Sequence, residues 1–357
     1  MRLTRLVARG FRNLADVECE LPAAGVALLG ANGQGKTNLL EAIYYPVLFR
    51  SLRGASDAEV IGFGGPGFQV KATVELDDRS TALTTTVSSG ARRKRITVDG
   101  EEQRRLTDAV GIWMAVAFLP SDVALAGGPA TERRHYLDRM LSLADHRYLT
   151  SLSRYRAALA QRNSGLRQDR PDLAAMFDRP LATAGAQIVA ARLAWLERAS
   201  SQFAEELSWL GDTTDAELRY HGHADLADPS AWPAALEAAA QRDRSRGMTT
   251  VGPHRDDLRL LIAGRAVREF GSTGQQRSAA VALKLIEIAT LRQSRGTEPA
   301  LLLDDVFAEL DRNRQERLAE RLLSPSRQTV LTAPRRDELP PSLAVPVWTV
   351  CRGVIER

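Results

Sequence analysis

Apolar and polar residues alternate along much of the first third of the chain. Such alternation is typical of half-buried strands and occurs in "RLTRLVARGF", "DVECEL", "FQVKATVEL" and "STALTTTVSS". The apolar run "GVALLG" ends in glycine, "SGARRKR" has the composition of a hairpin tip before "ITVDG", and "WMAVAFL" predicts a buried strand that Pro120 ends. We therefore predict a strand-rich first part with tight turns.

The spacing becomes helical from about Thr131 to about Leu210. Apolar residues there recur every three or four positions, as in "ERRHYLDRMLSLA" and "LATAGAQIVAARLAWLERASSQFAEELSWL", and Trp195 and Trp209 are expected in the core. A strand "ELRYHGH" and a helix "SAWPAALEAAAQRDRSR" follow. Strands are then predicted at "LRLLI", "PALLLDD", "QTVLTA" and "VPVWTV", with helices at 275–294 and 313–323.

The chain is thus strand-rich at both ends and helical in the middle. We predict one α/β domain made of residues 1–125 and 250–357, interrupted by a smaller, mostly helical domain of residues 126–249. The 357 residues, 44% of them hydrophobic, are enough to bury a core, and the sequence pI of about 9.3 mildly favours a polyanionic partner.

Several classes of protein are disfavoured by what the sequence lacks. No apolar run reaches the ~18 residues of a membrane helix, and the N-terminus has no signal-peptide pattern. Cys19 and Cys351 lie far apart, which disfavours both a disulfide framework and a zinc site. We expect a cytoplasmic protein without a membrane segment.

The stretch "LLGANGQGKTNLLEAIYY" matches the phosphate-loop pattern G-x-x-x-x-G-K-[ST] between a strand and a helix. Backbone N–H groups of such a loop face phosphates, its lysine reaches the β and γ oxygens, and its threonine hydroxyl is an Mg²⁺ ligand. Pro46 is expected to end or kink the helix near Tyr45. The predicted nucleotide contacts are Gly30, Asn32, Gly33, Gln34, Gly35, Lys36, Thr37 and Asn38.

Two acids follow the apolar run of "LLLDDVFAELD", at the strand end where open α/β sheets bind ligands. Asp304 would hold Mg²⁺ together with Thr37, and Asp305 would orient and deprotonate an attacking water. The alternative is a strand-end turn with two solvated acids. A guanine-reading Asn-Lys pair is absent, which disfavours a GTPase, whereas a small-molecule kinase stays open.

A second glycine-rich loop, "GSTGQQRSAAVALKL", opens another helix pattern at Gly271 but has no lysine. With "FRNL", "SRYRAALAQRN", "VGPHRDDL" and the two stretches above, it resembles the RecF family of bacterial recombination-mediator ATPases along the whole chain. The resemblance implies an ABC-type ATPase head with mixed sheets and a helical arm. It also implies ATP and Mg²⁺ as cofactors, ATP-dependent homodimerisation and DNA binding, slow hydrolysis, and repair of gapped DNA with RecR and RecO to help RecA load.

The resemblance also implies roles for single residues. Lys36 and Thr37 match the Walker A loop, Asp304 the metal-binding acid and Asp305 the catalytic acid. The signature loop, which would contact ATP on a second copy of the chain, matches Ser272, Thr273, Gly274, Gln275 and Gln276. Asp311 matches the D-loop, and Arg12 matches a basic position near the nucleotide.

Three positions depart from the pattern of ABC transporter heads. Asp305 stands where those heads have the longer Glu, so slow turnover is expected. Thr332 and Ala333 stand where a switch His is usual, so we expect no γ-phosphate sensor there. Asp122 is the candidate for the Q-loop, with a helix N-cap as the alternative.

Two basic segments are candidates for DNA contacts, which would be salt-sensitive and largely independent of sequence. They contain Arg92, Arg93, Lys94 and Arg95, and Arg133 and Arg134. Either segment has a solvated face as its alternative. His254 and Arg255 lack a nucleophile–base pair or metal-ligand spacing, so we expect them in a structural turn.

Three other classes remain as alternatives. A structural-maintenance-type head needs far longer heptad segments than this insert provides. A transporter ATPase subunit needs a membrane partner and usually a Glu after Asp304. A phosphate-loop kinase or metabolic ATPase would not need Ser272.

Overall fold

Strands dominate one compact unit of the structure, and helices dominate a second unit that interrupts the first in sequence. The strand-rich unit contains residues 1–120 and 291–357, and the helical unit contains residues 121–290. The computed structural model describes residues 1–90, 93–212, 215–307, 312–324 and 326–357, with backbone alone for residues 312–314.

An antiparallel sheet forms the first layer of the strand-rich unit. Its six strands lie in the order β2-β1-β4-β5-β6-β7. The alternation seen in the sequence places one face of β4 and β5 in the core. The strands are β1 (Arg2–Arg9), β2 (Val17–Glu20), β4 (Gly67–Leu76), β5 (Arg79–Ser88), β6 (Arg95–Val98) and β7 (Glu101–Glu102).

A second sheet of the same unit carries the predicted nucleotide motifs. Its order is β15-β14-β3-β13-β12-β8, parallel throughout except for the antiparallel edge strand β15. Strands 3, 8, 12 and 13 are fully or almost fully buried, which explains their uninterrupted apolar sequences. The strands are β3 (Gly25–Leu29), β8 (Ala115–Phe118), β12 (Ala300–Leu303), β13 (Thr329–Ala333), β14 (Val347–Cys351) and β15 (Val354–Glu356).

Helix α1 (Lys36–Leu48) contacts strands of both sheets and is buried on almost every side. Tyr45 packs edge-on against Phe11 and Phe68, with ring centroids 6.0 and 5.1 Å apart. The helix ends three residues beyond the predicted position, because Pro46 lies in its last turn, and Phe49 follows in a left-handed conformation. The unit also contains α2 (Asp57–Val60) and α11 (Arg312–Leu322).

The helical unit has one core cluster of apolar side chains, which includes Trp195 and Trp232, whereas Trp209 is only half-buried. Its three-stranded antiparallel sheet has the order β11-β10-β9. The elements are α3 (Ala124–Gly127), α4 (Ala130–Ala144), α5 (His146–Arg167), α6 (Pro171–Ala175), α7 (Asp178–Trp209), β9 (Ala216–His221), α8 (Trp232–Arg246), β10 (Asp257–Ile262), β11 (Arg265–Ala266), α9 (Val267–Phe270) and α10 (Thr273–Arg295), whose last turns enter the strand-rich unit.

The boundary between the units differs from the predicted one. Residues 250–290 group with the helical unit rather than with the strand-rich unit. The physical reason is that this segment pairs with the helical unit: β10 pairs with β9, and Tyr136 donates to the carbonyl of Leu283 at 2.6 Å. Across the described ranges, no helix is long and apolar enough to cross a bilayer.

Candidate nucleotide site

The phosphate loop connects β3 to α1 and depends on glycine at two positions. Gly33 and Gly35 have φ of 80° and 108°, a region in which a side chain is strained. Gly35 is also the N-cap residue of α1, and its carbonyl accepts from the N–H of Leu39 at 2.9 Å. Asn32 and Gly33 are exposed at the loop crest. The loop therefore has the conformation that aims backbone N–H groups at an anion.

Lys36 lies beneath this loop rather than in solvent. Its side chain is almost fully buried, and Nζ donates to the carbonyls of Gly30 and Ala31 at 2.5 and 3.2 Å. These carbonyls hold the ammonium group at the loop, where a phosphate would need it.

Residues far apart in sequence meet at the ends of three parallel strands. The Thr37 hydroxyl lies 3.0 and 2.9 Å from the two carboxylate oxygens of Asp304. Thr332, on the strand between them, lies 2.8 Å from Asp304 Oδ1 and 3.1 Å from Asp305 Oδ1. Its oxygen also accepts the N–H of Asp305 at 2.9 Å. The sequence prediction that Thr37 and Asp304 lie together agrees with this geometry, whereas the role of Thr332 was not predicted.

The donor set fits a hard cation. Hydroxyl and carboxylate oxygens are the protein ligands that Mg²⁺ takes, usually one or two per site with water and phosphate completing the shell. Burial raises the pKa of Asp304, which a bound cation would reverse. Asp305 has a φ of 49°, a strained conformation for a side-chain-bearing residue, so the adjoining hydrogen bonds to Thr332 must hold it.

Arg12 supports the first turns of α1 instead of projecting into the loop. Its guanidinium donates twice to the carboxylate of buried Glu41, both at 3.0 Å, and once to the carbonyl of Glu59 at 2.7 Å. Burial alone would raise the pKa of Glu41, but hydrogen bonds from Arg12, Ser51 and Arg53 lower it. The predicted contact between Arg12 and a nucleotide stays a prediction.

Asn13 was missed by sequence reasoning although it is the residue beside Arg12. Its amide donates to the carbonyl of Gly33 at 3.3 Å and accepts from the amide of Asn38 at 2.6 Å. Two predicted nucleotide contacts, Gly33 in the loop and Asn38 in α1, are therefore positioned by a residue from the turn that follows β1.

The C-terminal hairpin also supports the phosphate loop. The N–H of Gly353 donates to the backbone carbonyl of Gln34 at 2.8 Å, and the N–H of Arg352 donates to the side-chain oxygen of Gln34 at 2.7 Å. Gly353 has a φ of 78°, and a Cβ there would lie 2.2 Å from the carbonyl oxygen of Asn13. Gln34 thus faces the hairpin with both of its oxygens, a contact that no local pattern could predict.

The second glycine-rich loop forms a reciprocal helix cap in the helical unit. The N–H of Gln275 donates to the Ser272 hydroxyl at 3.2 Å, and the Gln275 side chain accepts the N–H of Ser272 at 3.0 Å. Ser272, Thr273 and Gly274 are exposed, while Gln276 donates to the carbonyl of Gly271 at 3.3 Å. The start of α10 is therefore a rigid, exposed helix N-terminus.

The remaining predicted nucleotide positions give a mixed result. Asp311 lies outside the described residues. Asp122 lies in a short 3₁₀ helix, Pro120–Val123, in the helical unit. The structure therefore leaves the Q-loop assignment of Asp122 as a prediction.

The basic candidates divide into exposed and engaged side chains. Arg92 lies outside the described residues, and Arg93 and Arg95 are exposed. Lys94 is engaged, because its ammonium group contacts the Asp57 carboxylate at 2.8 Å and donates to the carbonyl of Phe49 at 2.5 Å. Among the described residues of this segment, the exposed Arg93 and Arg95 are therefore better placed than Lys94 to contact DNA.

The second basic segment faces inward. Arg133 is buried and forms two hydrogen bonds to the Asp257 carboxylate, at 2.8 and 2.9 Å, and Arg134 donates to the carbonyl of Asp256 at 2.9 Å. This geometry does not support a DNA contact by Arg133. Both arginines instead tie "GPHRDDL" to α4.

His254 of the same motif is a structural residue. Its Nε2 lies 3.0 Å from the carbonyl of Thr249, so Nε2 carries the hydrogen and Nδ1 accepts from the Tyr155 hydroxyl at 2.6 Å. Burial lowers the pKa of His254 to about 4. Gly252 has a φ of 118°, and a Cβ there would lie 2.6 Å from the Tyr155 hydroxyl. The motif is a buried turn, and across the described ranges no three or more acids, His or Cys are grouped so that they could hold a metal ion by themselves.

Sequence comparison finds close relatives over nearly the whole chain. The family profile described as "RecF/RecN/SMC N terminal domain" matches residues 2–340. Two proteins named "DNA replication and repair protein RecF" are similar to this chain. The one from Herpetosiphon aurantiacus is 35% identical to it, and the one from a Geobacter species is 37% identical to it. The first alignment covers 96% of this chain and 95% of the relative, and the second covers 93% of each.

Solved structures agree with the sequence relatives. "Structure of the recombination mediator protein RecF-ATPrS in RecFOR pathway" superimposes with a TM-score of 0.90 at 29% identity, covering 99% of this chain and 97% of that chain. An SMC head bound to a domain of ScpA shares the fold alone, with a TM-score of 0.57 at 16% identity over 100% of this chain and 96% of that chain. The predicted α/β ATPase-head fold is thus confirmed, and the chain belongs to the RecF family.

Proposed function

We propose that this chain is an ATP-dependent DNA-binding protein of DNA replication and repair, with a weak, DNA-dependent ATPase activity. The observation that carries the proposal is the meeting of Thr37, Asp304 and Thr332 beside a glycine-dependent phosphate loop. The names of the relatives, which include RecF-ATP and RecFOR pathway, support ATP as the nucleotide and DNA repair as the setting.

The chain's own groups divide the work at the site. Backbone N–H groups of residues 33–37 and the ammonium group of Lys36 bind the phosphates. Thr37 and Asp304 would hold Mg²⁺, which neutralises phosphate charge. Asp305 orients a water and accepts its proton, while Thr332 fixes the position of both acids. Asp305 is one methylene shorter than the usual Glu, so water is held less closely and turnover is slow.

Ser272 and the N–H groups at the start of α10 provide the second half of the ATP site, on a second copy of the chain. Their exposure and rigid cap suit them to contact a γ-phosphate without a second lysine. ATP then binds the pair more tightly than either single chain, and this difference in affinity drives homodimerisation. Hydrolysis removes the γ-phosphate contact, and the pair separates.

The dimer binds gapped or stalled-fork DNA and acts with RecR and RecO to help RecA load. The pathway name of the related solved structure supports these partners. DNA contacts are expected to be mainly ionic, and therefore to weaken with salt.

Sedimentation of the protein with and without ATP, in the presence and absence of duplex DNA, tests the proposal directly. Wild type should shift from monomer to dimer with ATP and co-sediment with DNA. Lys36→Met should do neither, because the phosphates lose their cation, and its unfolding should stay cooperative. If ATP leaves the wild-type monomer unchanged, the dimer mechanism is wrong and an isolated phosphate-loop ATPase becomes the better description.

A further inference from the structure

A cavity of about 720 Å³ opens at one end of the antiparallel sheet, away from the residues assigned to ATP. Its lining comes from the loop after α2, the end of β5 and the segment around β6. We propose that this cavity and its rim bind an unpaired base of DNA and its flanking phosphates. The site-forming residues are Phe63, Arg93 and Arg104. The inference rests on the proposed DNA-binding function and assigns it a place.

Phe63 is the first observation that points to a ligand. Its side chain is fully exposed, at 109% of the reference area, although burial of a Phe side chain is favourable. A scattered exposed apolar residue is ordinary, but Phe63 stands at the rim of a cavity, where an aromatic ring offers a flat stacking surface.

The ring is held on a rigid support. The N–H of Gly65 donates to the carbonyl of Gly62 at 2.9 Å, which closes a tight turn with Phe63 at its tip. Gly64 has a φ of 71°, as the third position of such a turn requires. The N–H of Gly62 donates to the carbonyl of Gly10 at 2.8 Å and anchors the turn to the end of β1. Stacking on this ring therefore requires little ordering of the backbone that carries it.

The charge around the ring is positive. Arg93 and Arg104 line the cavity and are exposed. Asp57 is the one acid among the described lining residues, and Lys94 neutralises it at 2.8 Å. Among the described lining residues, no unpaired carboxylate therefore opposes the two arginines, and Arg suits the bidentate recognition of phosphate.

Exposed cations beside an aromatic face fit a single-stranded nucleic acid better than a duplex. Bases inside a duplex stack on each other, so a ring on the protein surface reaches only an unpaired or terminal base. The shared chemistry is a base plus its phosphates, and gapped DNA presents both.

The proposed site shares a backbone segment with the phosphate loop. The turn is anchored at Gly10, and the N–H of Arg12 donates to the carbonyl of Val60 at 2.8 Å. The neighbouring Asn13 contacts the carbonyl of Gly33 at 3.3 Å. Residues 10–13 thus contact both sites, which is a physical route by which ATP and DNA affect each other.

The test measures binding of the full chain, with ATP, to a gapped duplex that carries 2-aminopurine at the gap, and to a fully paired duplex with hairpin-closed ends. Phe63→Ala should weaken gapped-DNA binding about tenfold and abolish quenching of the fluorophore, because a stacking contact is lost. Binding to the closed duplex and to ATP should not change. Phe63→Trp should retain the affinity, and Phe63→Leu should not.

The arginines have their own readout. The double change of Arg93→Ala with Arg104→Ala should lower the slope of log affinity against log salt by about 0.7 per lost phosphate contact on a single strand. Met176→Ala, which removes an exposed apolar side chain in the other unit, is the matched control and should change nothing.

The outcomes separate the site from the function. If wild type binds gapped DNA with ATP and Phe63→Ala binds it equally well, the assignment of this site is wrong while the proposed function stands. If Phe63→Leu keeps full affinity for gapped DNA, an apolar contact is sufficient and the base-stacking assignment is wrong. If wild type binds no DNA with ATP, the proposed function and this inference both fall.

Discussion

Thr332 connects the two acids of the site, and its hydroxyl has only one proton to donate. It lies 2.8 Å from Asp304 and 3.1 Å from Asp305, so it can serve one carboxylate at a time while it accepts the N–H of Asp305. We therefore infer that the hydroxyl positions Asp305, the proposed general base, rather than reacting itself. No local motif indicates this role, because the pairing of β13 with β12 and β3 brings Thr332 to the acids.

Thr332→Val tests this positioning role with a nearly isosteric change. The N–H of Asp305 loses its acceptor at a strained position, which costs about 1–3 kcal/mol and lowers turnover at saturating ATP roughly ten- to hundredfold. ATP affinity should change much less, and Thr332→Ser should restore turnover.

A neighbouring threonine provides the control. Thr329 lies on the same strand, and among the described groups its buried hydroxyl has no hydrogen-bond partner. Thr329→Val should leave turnover unchanged and should not destabilise the protein. Wild-type turnover in Thr332→Val would contradict the role given to Thr332.

His254 gives the helical unit a pH dependence whose sign follows from its burial. Its pKa is about 4 in the folded chain and 6.5 in the absence of burial. Between these values the unfolded chain binds the proton and the folded chain does not. The contribution of neutral His254 to the free energy of unfolding is therefore fully present above pH 6.5. It is lost as the pH falls to about 4, which lowers the free energy of unfolding by ~3 kcal/mol in all.

Urea unfolding at a series of pH values measures this loss. His254→Gln should flatten the dependence between pH 6.5 and about 4, because Gln does not titrate, at the cost of lower stability at neutral pH. His135→Gln changes an exposed His in α4 and should leave the dependence intact. Equal pH slopes in wild type and His254→Gln would show that other groups carry the effect.

At the scale of elements, the hairpin of β14 and β15 is part of the nucleotide site. Gly353→Ala adds a Cβ that would lie 2.2 Å from a backbone oxygen of Asn13, at a φ of 78°. The hairpin must then move away from Gln34, so we expect ATP affinity to fall about tenfold, equivalent to ~1.4 kcal/mol. Equilibrium binding of a fluorescent ATP analogue measures it.

Gly100→Ala is the matched control for this element. Gly100 lies in the same unit with a φ of 89°, but a Cβ there meets nothing within 4 Å. It should cost only the ~1 kcal/mol of a left-handed Ala, with unchanged ATP affinity. If both variants bind ATP like wild type, the hairpin is not needed by the loop.

Most elements could be predicted because their patterns are local. Alternation predicted β4 and β5, and helical spacing predicted the long helices. The unit to which residues 250–290 belong could not be predicted, because it depends on contacts between distant residues, such as the ion pair of Arg133 with Asp257. The two sequence motifs predicted that Thr37 and Asp304 would lie together. The contacts by which Asn13 and Gly353 support the phosphate loop depend on tertiary structure alone.

At the scale of the whole molecule, the proposed contact of Ser272 with the ATP of a second chain predicts variants that separate ATP binding from dimerisation. Ser272→Arg should leave ATP affinity of the single chain intact and abolish the ATP-induced dimer in sedimentation. Arg also removes a helix cap worth about 1 kcal/mol, so Ser272→Asp is the sharper variant. Asp keeps the cap but places a carboxylate against the partner's γ-phosphate.

The control for these changes is Ser201→Arg, at an exposed position of α7. It should dimerise with ATP like wild type. A dimer that forms normally in Ser272→Asp would show that the start of α10 does not face the nucleotide of a second chain.

The sheet order has a consequence for how the protein is made. β3, which leads into the phosphate loop, has β13 and β14 as its two neighbours. Gly25 is therefore paired with Thr329, and Ala27 with Val347, which are both made much later in translation. During synthesis on the ribosome, both edges of this apolar strand stay unpaired until residues 329–349 emerge. Until then the nascent chain lacks the sheet that supports the phosphate loop and exposes an apolar strand edge, which favours aggregation.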